Sequence, residues 1–330
     1  MTDAPITDVP CEELTALREG VALCTHDQRA LVRVTGGDVL PWMERIASHP
    51  VADMAARTIR PATLMDGKGR MRAELRVLAP GEPSDGLLLD LPSSERTAVL
   101  KLLDMYVIKD DVTIEDVSVA FRLVSVLGPE AGELLSACGL ALPSPGEVST
   151  VRDDLLIVCS SLGGVPGYDL LFEGEVGRDL VGEVLRRGAR RASLAALDVV
   201  RVEHGVPWFA QDLSDAVIPL EALLDESVSI TKGCYPGQEV VARIRNLGQV
   251  ARKLARLDAE GQAMCKPGDE LFGTDEHAGK SAGKLTSVTY DPSADVTRAL
   301  GFVRRASWKS GTRLATSDGT EFVVHSLDGD

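Results

Sequence analysis

After about residue 248 the chain alternates apolar and polar residues in short runs, broken by Pro267-Gly268-Asp269, Gly273-Thr274-Asp275 and Ser317-Asp318-Gly319. Period-two alternation in pieces this short gives strands with one apolar face each. Such strands cover those faces by curling onto one another, which predicts a small barrel or sandwich of ~80 residues. Upstream, strand and helix signals mix without strict βαβ order, so that part reads as α+β rather than doubly wound. Turn residues at Asp27-Gln28 suggest a hairpin over 21–34, and Asp66-Gly67-Lys68-Gly69 a second over 63–78. Leu40, Met43, Ile46 and Ala47 have helical spacing, as do Ala131, Leu134, Leu135 and Cys138 after Gly128-Pro129-Glu130. A helix capped by a serine of Ser93-Ser94-Glu95 should run to about Met105. Further strands are expected at 112–115, 120–126, 155–160 and 168–172, and helices over 180–191 and 192–203. The first ten residues, polar and proline-containing, read as a frayed arm.

At ~150 residues per domain, 330 residues suggest two or three domains. We divide the chain into an arm (1–19), an α+β region (20–247) and a β-rich unit (248–330). Fifty acidic against 35 basic residues give a net charge of −15, which repels phosphate backbones at long range and argues against general nucleic-acid binding. No apolar run approaches ~18 residues, so no membrane helix is expected. Residues 1–11 carry Asp3 and Asp8 without an apolar segment and do not read as a signal peptide. The cysteines (Cys11, Cys24, Cys138, Cys159, Cys234, Cys265) form no C-x-x-C pair, which excludes zinc knuckles and common iron–sulfur runs and fits a reducing cytoplasm. The histidines (His26, His49, His204, His277, His325) form no ligand cluster, and no metal site is expected.

Three segments carry chemistry. In Lys232-Gly233-Cys234-Tyr235-Pro236-Gly237-Gln238-Glu239, two glycines and a proline frame a thiol two residues after an ammonium. That setting favours the thiolate; the alternative is a structural turn whose cysteine only packs. The following Val240-Val241-Ala242 suits helix or strand. In Arg201-Val202-Glu203-His204-Gly205, a carboxylate ends an apolar helix-like stretch, where it could accept two parallel N–H bonds from a planar heterocycle or simply pair with Arg201. In Ser161-Leu162-Gly163-Gly164-Val165-Pro166-Gly167-Tyr168, three glycines let backbone approach a ligand, and Tyr168 offers a flat face.

Together, and in this order, these segments resemble the YgfZ-type folate-binding proteins, relatives of the glycine-cleavage T-protein (aminomethyltransferase). The octapeptide from Lys232 to Glu239 matches that family's K-G-C-Y-x-G-Q-E signature throughout. Leu64-Met65-Asp66-Gly67-Lys68-Gly69-Arg70 and Ile218-Pro219-Leu220-Glu221 add to the likeness, which spans about 20–330. It implies a T-protein fold: two intertwined α+β subdomains enclosing a central folate hole, plus a C-terminal β-barrel. It implies tetrahydrofolate or a derivative as cofactor, with Glu203 on the pterin ring and Tyr168, Leu64 and Arg243 beside the ligand. It places the family's functional cysteine and lysine at Cys234 and Lys232, in a loop completed by Gly233, Tyr235, Gly237, Gln238 and Glu239.

One departure bears on activity. Where aminomethyltransferases carry G-G-x-x-D-D, this chain has Gly69-Arg70-Met71-Arg72-Ala73-Glu74, so Ala73 takes the reacting aspartate's place. The resemblance then implies an accessory protein, not an aminomethyltransferase. It would support the maturation or repair of iron–sulfur enzymes, including transfer-RNA-modifying ones, with iron–sulfur client or assembly proteins as partners. A folate-dependent aminomethyl or one-carbon transferase is the alternative. A third reading, RNA contact through Arg243, Arg245, Arg252, Lys253 and Arg256, competes with a solvated strand face or a site for the folate carboxylates.

Overall fold

Two β-sheets share one long two-stranded ribbon in the computed structural model, which describes residues 9–151, 155–160, 162–248, 250–274 and 279–328. Ala22–Thr25 pairs antiparallel with Arg122–Leu127 in the first sheet, Ala22 opposite Leu127. The same two chain segments then continue into the second sheet, where Arg29–Thr35 pairs with Thr113–Asp116, Val32 opposite Asp116. The register shifts by one residue across the gap. The hairpin expected over 21–34 therefore does not form: Asp27-Gln28 is a turn, closed by Arg29 N donating to His26 O, but it carries the chain from one sheet into the other, and His26 N donates to Leu123 O.

The first sheet runs in the order Arg190–Arg191, Ala22–Thr25, Arg122–Leu127, Gly167–Phe172, Leu155–Cys159, Val148–Val151. The second runs Thr58–Met65, Met71–Ala79, Leu87–Pro92, Arg29–Thr35, Thr113–Asp116. They meet face to face through Leu31, Leu78 and Leu88 on one side and Leu123, Leu156 and Leu171 on the other. The helices are α1 (Cys11–Glu19), α2 (Val39–Ile46), α3 (Arg96–Met105), α4 (Ala131–Ala137), α5 (Gly174–Arg186), α6 (Leu194–Glu203) and α7 (Gln238–Leu247). Alternation along each strand sends the other face outward: α2 and α3 cover the second sheet through Trp42, Met43 and Leu103, and α4 and α5 cover the first through Leu135 and Val184. A closed six-stranded barrel follows, with Leu257, Leu271, Leu285 and Phe322 in its core. It joins the sheets through Leu254, Leu300 and Phe302 packed on Met71, Val202 and Phe209.

Local departures have identifiable causes. Ser93–Glu95 forms a 3-10 turn, and Glu95 rather than a serine precedes α3, with no side-chain cap. Helix α5 stops at Arg186 because Gly188, at φ +108°, turns the chain into the strand Arg190–Arg191. Most of the frayed arm falls on residues 1–8, outside the described residues. Residues 11–19, assigned above to the arm, are helix α1, fastened by Leu14 and Leu17 against α6.

Candidate functional site

The octapeptide lies on the tip of the hairpin that the second sheet extends. Gly237, at φ +84°, precedes α7, and Gly69, at φ +72°, sits at the hairpin tip. Asp66 Oδ1 accepts the N–H groups of Lys68 and Arg70 and shapes that tip. Lys232 is nearly inaccessible, and its ammonium donates to the carbonyls of Glu44 (2.7 Å), Ala47 (2.8 Å) and His49 (3.1 Å). All three protons therefore serve the carbonyl end of α2, where the helix dipole also favours a cation. Burial nevertheless pushes the Lys232 pKa down, against the pull of Glu44. Tyr235 is buried, its hydroxyl on Ser229 O at 2.5 Å, and burial pushes it up to about 12. Gln238 Nε2 donates to Lys232 O. Cys234 and Glu239 stand exposed. Lys232 thus pins the loop and keeps no proton to donate to the thiol.

A second site lies where the sheets, α6 and the 208–211 segment meet. The cavity there is about 370 Å³ and is walled by Gln28, Arg29, Glu74, Leu162, Asp198 and Trp208, with Ser93 and Ser94 at its edge. Behind it runs a buried ionic ladder. Arg29 donates to Glu74 (2.7 Å) and Asp90 (2.9 Å), and Arg76 bridges Asp90 and Asp169. Ser125 Oγ donates to Asp169 Oδ1, and His26 bridges Ser125 (2.6 Å) and Gln28 (3.0 Å). Burial pushes His26 down to about 4, so the ring is neutral. A ladder of this kind adds little net stability, but it fixes one geometry between the sheets. Gln28 Oε1 is buried and has no hydrogen-bond partner among the described residues.

Arg201, wholly buried, organises the opposite wall. Its five N–H groups reach Asp198, Val206 O, Asp212, Gln211 and Ser287, and the guanidinium stacks 4.6 Å from the Trp208 ring centroid. Trp208 Nε1 donates to Leu162 O at 2.9 Å, which fixes the indole as a wall. Burial pushes the Asp198 carboxyl up, and neighbouring Arg201 opposes that. Sequence reasoning read Arg201 only as a partner of Glu203 and missed Asp198, Trp208, Gln28 and Arg29. The available signals were an arginine inside an apolar helical stretch with an aspartate three residues before it, and a tryptophan in a chain with three.

Other residues singled out by sequence lie elsewhere. Glu203 is five residues beyond Asp198, about 140° around a helix at 3.6 residues per turn, so α6 cannot turn both to one cavity. Glu203 Oε2 accepts from Arg18 at 2.9 and 2.5 Å, and Arg298 lies 3.7 Å from Oε1. With Asp291 these groups tie α1 and α6 to the barrel. Burial works against ionisation of Asp291, yet hydrogen bonds from Arg18, Ser293 and Arg298 hold it well below the usual carboxylate range. Tyr168 packs against α4 at Gly132, and Leu64 lies in the core opposite Ala73. Ala73 itself is fully buried there, so the position read as the lost aspartate faces away from the cavity; its neighbour Glu74 faces in. Alternation along the strand explains the difference.

The 240–257 cations are mostly spoken for: Arg245 pairs with Asp225, Arg252 with Glu221, Lys253 with Asp328 and Arg256 with Asp258. Arg243 is exposed on α7. Ser161 and His277 lie outside the described residues. Gly279-Lys280-Ser281-Ala282-Gly283 has the spacing of a nucleophile elbow but runs into the barrel strand Ser281–Asp291, not a helix. Among the described residues, no helix is long and apolar enough to cross a membrane, and no three His, Cys, Asp or Glu side chains are grouped to hold a metal ion.

The GCVT N-terminal domain family matches residues 4–232. An aminomethyltransferase of Rippkaea orientalis is 29% identical over 245 residues, 71% of this chain and 63% of that protein. The human mitochondrial iron-sulfur cluster assembly factor IBA57 is 30% identical over 241 residues, 69% of this chain and 64% of that protein. The chain therefore spans just under two thirds of the length of each. The crystal structure of the glycine cleavage system aminomethyltransferase T from Bartonella henselae superposes with a TM-score of 0.84 at 20% identity, covering 96% of this chain and 88% of that one.

Proposed function

Because this chain belongs to the GCVT N-terminal domain family, of T-protein fold, we propose that its central cavity binds tetrahydrofolate or a derivative. The observation that carries this reading is the cavity behind Trp208. Its ~370 Å³ falls within the ~300–1,000 Å³ range of small-molecule sites, and one wall is a rigid indole face. Gln28 Oε1, without a hydrogen-bond partner among the described residues, is the kind of acceptor a ring N–H would complete. When bound, the folate would supply one-carbon chemistry; the chain's part is to stack, orient and shield it.

In the cell we assign the chain to the support of iron–sulfur enzyme maturation or repair, with Cys234 as the thiol offered to a client. The similarity to the human assembly factor and the exposure of Cys234 support this. Glu74 favours a second reading, one-carbon transfer, because the strand after the hairpin does present a carboxylate to the cavity. Titration with tetrahydrofolate, read by Trp208 fluorescence, tests binding. Turnover with an aminomethyl-loaded carrier protein separates the two roles: none is expected for the accessory role. Cells lacking the chain should lose iron–sulfur enzyme activity and regain it with the wild type but not with Cys234→Ser.

A further inference from the structure

We infer that Gln28 selects the oxidation state of the ring: its amide is locked so that Oε1, not Nε2, is left for the ligand, and an acceptor there takes the N–H of a reduced ring and repels the bare nitrogen of an oxidised one. This rests on the reading of the central cavity as a folate site. Gln28 lines that cavity, and its Oε1 is the one side-chain atom among the described lining residues that is both buried and without a hydrogen-bond partner. The wall carboxylates differ from it: the side chains of Glu74 and Asp198 keep 23% and 28% of their exposure, so their oxygens are open to water. Gln28 Oε1 has lost water and gained nothing in its place, a cost that a donor entering the cavity removes.

The sense of the amide is fixed from behind, through Asp169, Ser125 and His26. Asp169 is held by Arg76 and can only accept. Ser125 has one proton and gives it to Asp169 Oδ1, so toward His26 its Oγ can only accept. His26 Nε2, 2.6 Å from that oxygen, therefore carries the proton of the neutral ring, and Nδ1 is bare. Gln28 meets Nδ1 at 3.0 Å with its amide nitrogen. Turned over, the amide would set an oxygen lone pair against a nitrogen lone pair. The terminal torsion of glutamine is broad, so a small rotation lets Oε1 meet an incoming N–H while Nε2 stays on His26. Both nitrogens of the reduced ring of tetrahydrofolate carry a proton, and in folate the same two are bare acceptors. His26, Ser125 and Asp169 are thus positioning residues, and Gln28 makes the contact.

Calorimetry compares tetrahydrofolate with folate, each bound to the full chain as wild type, Gln28→Met and Ser125→Ala, with thermal melts to verify folding. Wild type should prefer tetrahydrofolate by about tenfold or more. Gln28→Met keeps the length of the side chain and removes the acceptor, and it should cut that preference about tenfold, chiefly by weakening tetrahydrofolate. Ser125→Ala removes the partner that holds the proton on His26 Nε2. It should erode the preference too, although Ser125 is not in the cavity wall, and a residue that only filled space would not do so. Nitrogen NMR of the His26 ring in the wild type needs no variant: near neutral pH the proton should sit on Nε2. Equal binding of the two ligands by wild type, a proton on Nδ1, or an intact preference in either folded variant overturns the assignment alone. Absence of binding of both ligands by the wild type overturns the cavity reading and this inference with it.

Discussion

Gly237 and Gly69 meet backbone to backbone: a Cβ on Gly237 would lie 2.8 Å from the Gly69 Cα, and one on Gly69 would lie 2.9 Å from the Val240 Cβ. The octapeptide and the hairpin, whose contacting glycines are 168 positions apart in sequence, are thus one unit, and neither can gain a side chain at the contact.

Gly237→Ala should therefore cost about 2 kcal/mol or more, since the residue is left-handed and its new methyl would meet the backbone at Asp66 and Gly69. Denaturant unfolding measures this. A variant within about 0.5 kcal/mol of wild type would show that the loop yields freely.

Lys232 separates anchoring from thiol activation. Lys232→Met strands three carbonyls at the end of α2 and should cost about 2 kcal/mol. Iodoacetamide should label Cys234 and Cys11, the two exposed thiols, while Cys24, raised by burial to about 12, and Cys265, raised by burial to about 11, stay protected. Because the ammonium is committed to carbonyls, Lys232→Met should not slow Cys234. A tenfold slowing would restore the activating role.

His26 gives stability a pH dependence of known sign. Burial lowers its folded pKa to about 4 from the ordinary 6.5. The contribution is complete above pH 6.5 and is lost as pH falls toward 4, because the unfolded chain takes a proton that the folded chain refuses. The loss is on the order of 3 kcal/mol. Unfolding free energies between these limits should fall less steeply in His26→Gln; equal slopes would mean that other groups carry the dependence.

Glu203→Ala should loosen the seam between α1, α6 and the barrel by about 1 kcal/mol, the pair being about a quarter exposed. Tetrahydrofolate affinity should stay within about twofold, since the residue lies around the helix from Asp198. A tenfold loss of affinity without loss of stability would return Glu203 to the ligand.

The barrel was legible because its alternation is local, and so were α4 and the 63–78 hairpin, whose turn residues lie beside their strands. The ribbon was not. Asp27-Gln28 is a turn, and only the distant partners Leu127 and Asp116 show that it leads from one sheet into the other instead of folding the strand back on itself. The site divides in the same way. The octapeptide is contiguous and announces itself, whereas the cavity draws single residues from positions 28, 74, 198 and 208. Motif position alone also cannot say which of two neighbours on a strand faces inward, as Ala73 and Glu74 demonstrate.

The shared ribbon ties the two sheets into one unit. Sliding one over the other would shear paired backbone on both sides of the passage at 26–28. His26 and Gln28 lie within that passage, one in the buried ladder and the other in the cavity wall. A group that fills the cavity would therefore touch a wall that belongs to the link between the sheets, beside the Arg76–Asp169 contact that also spans them.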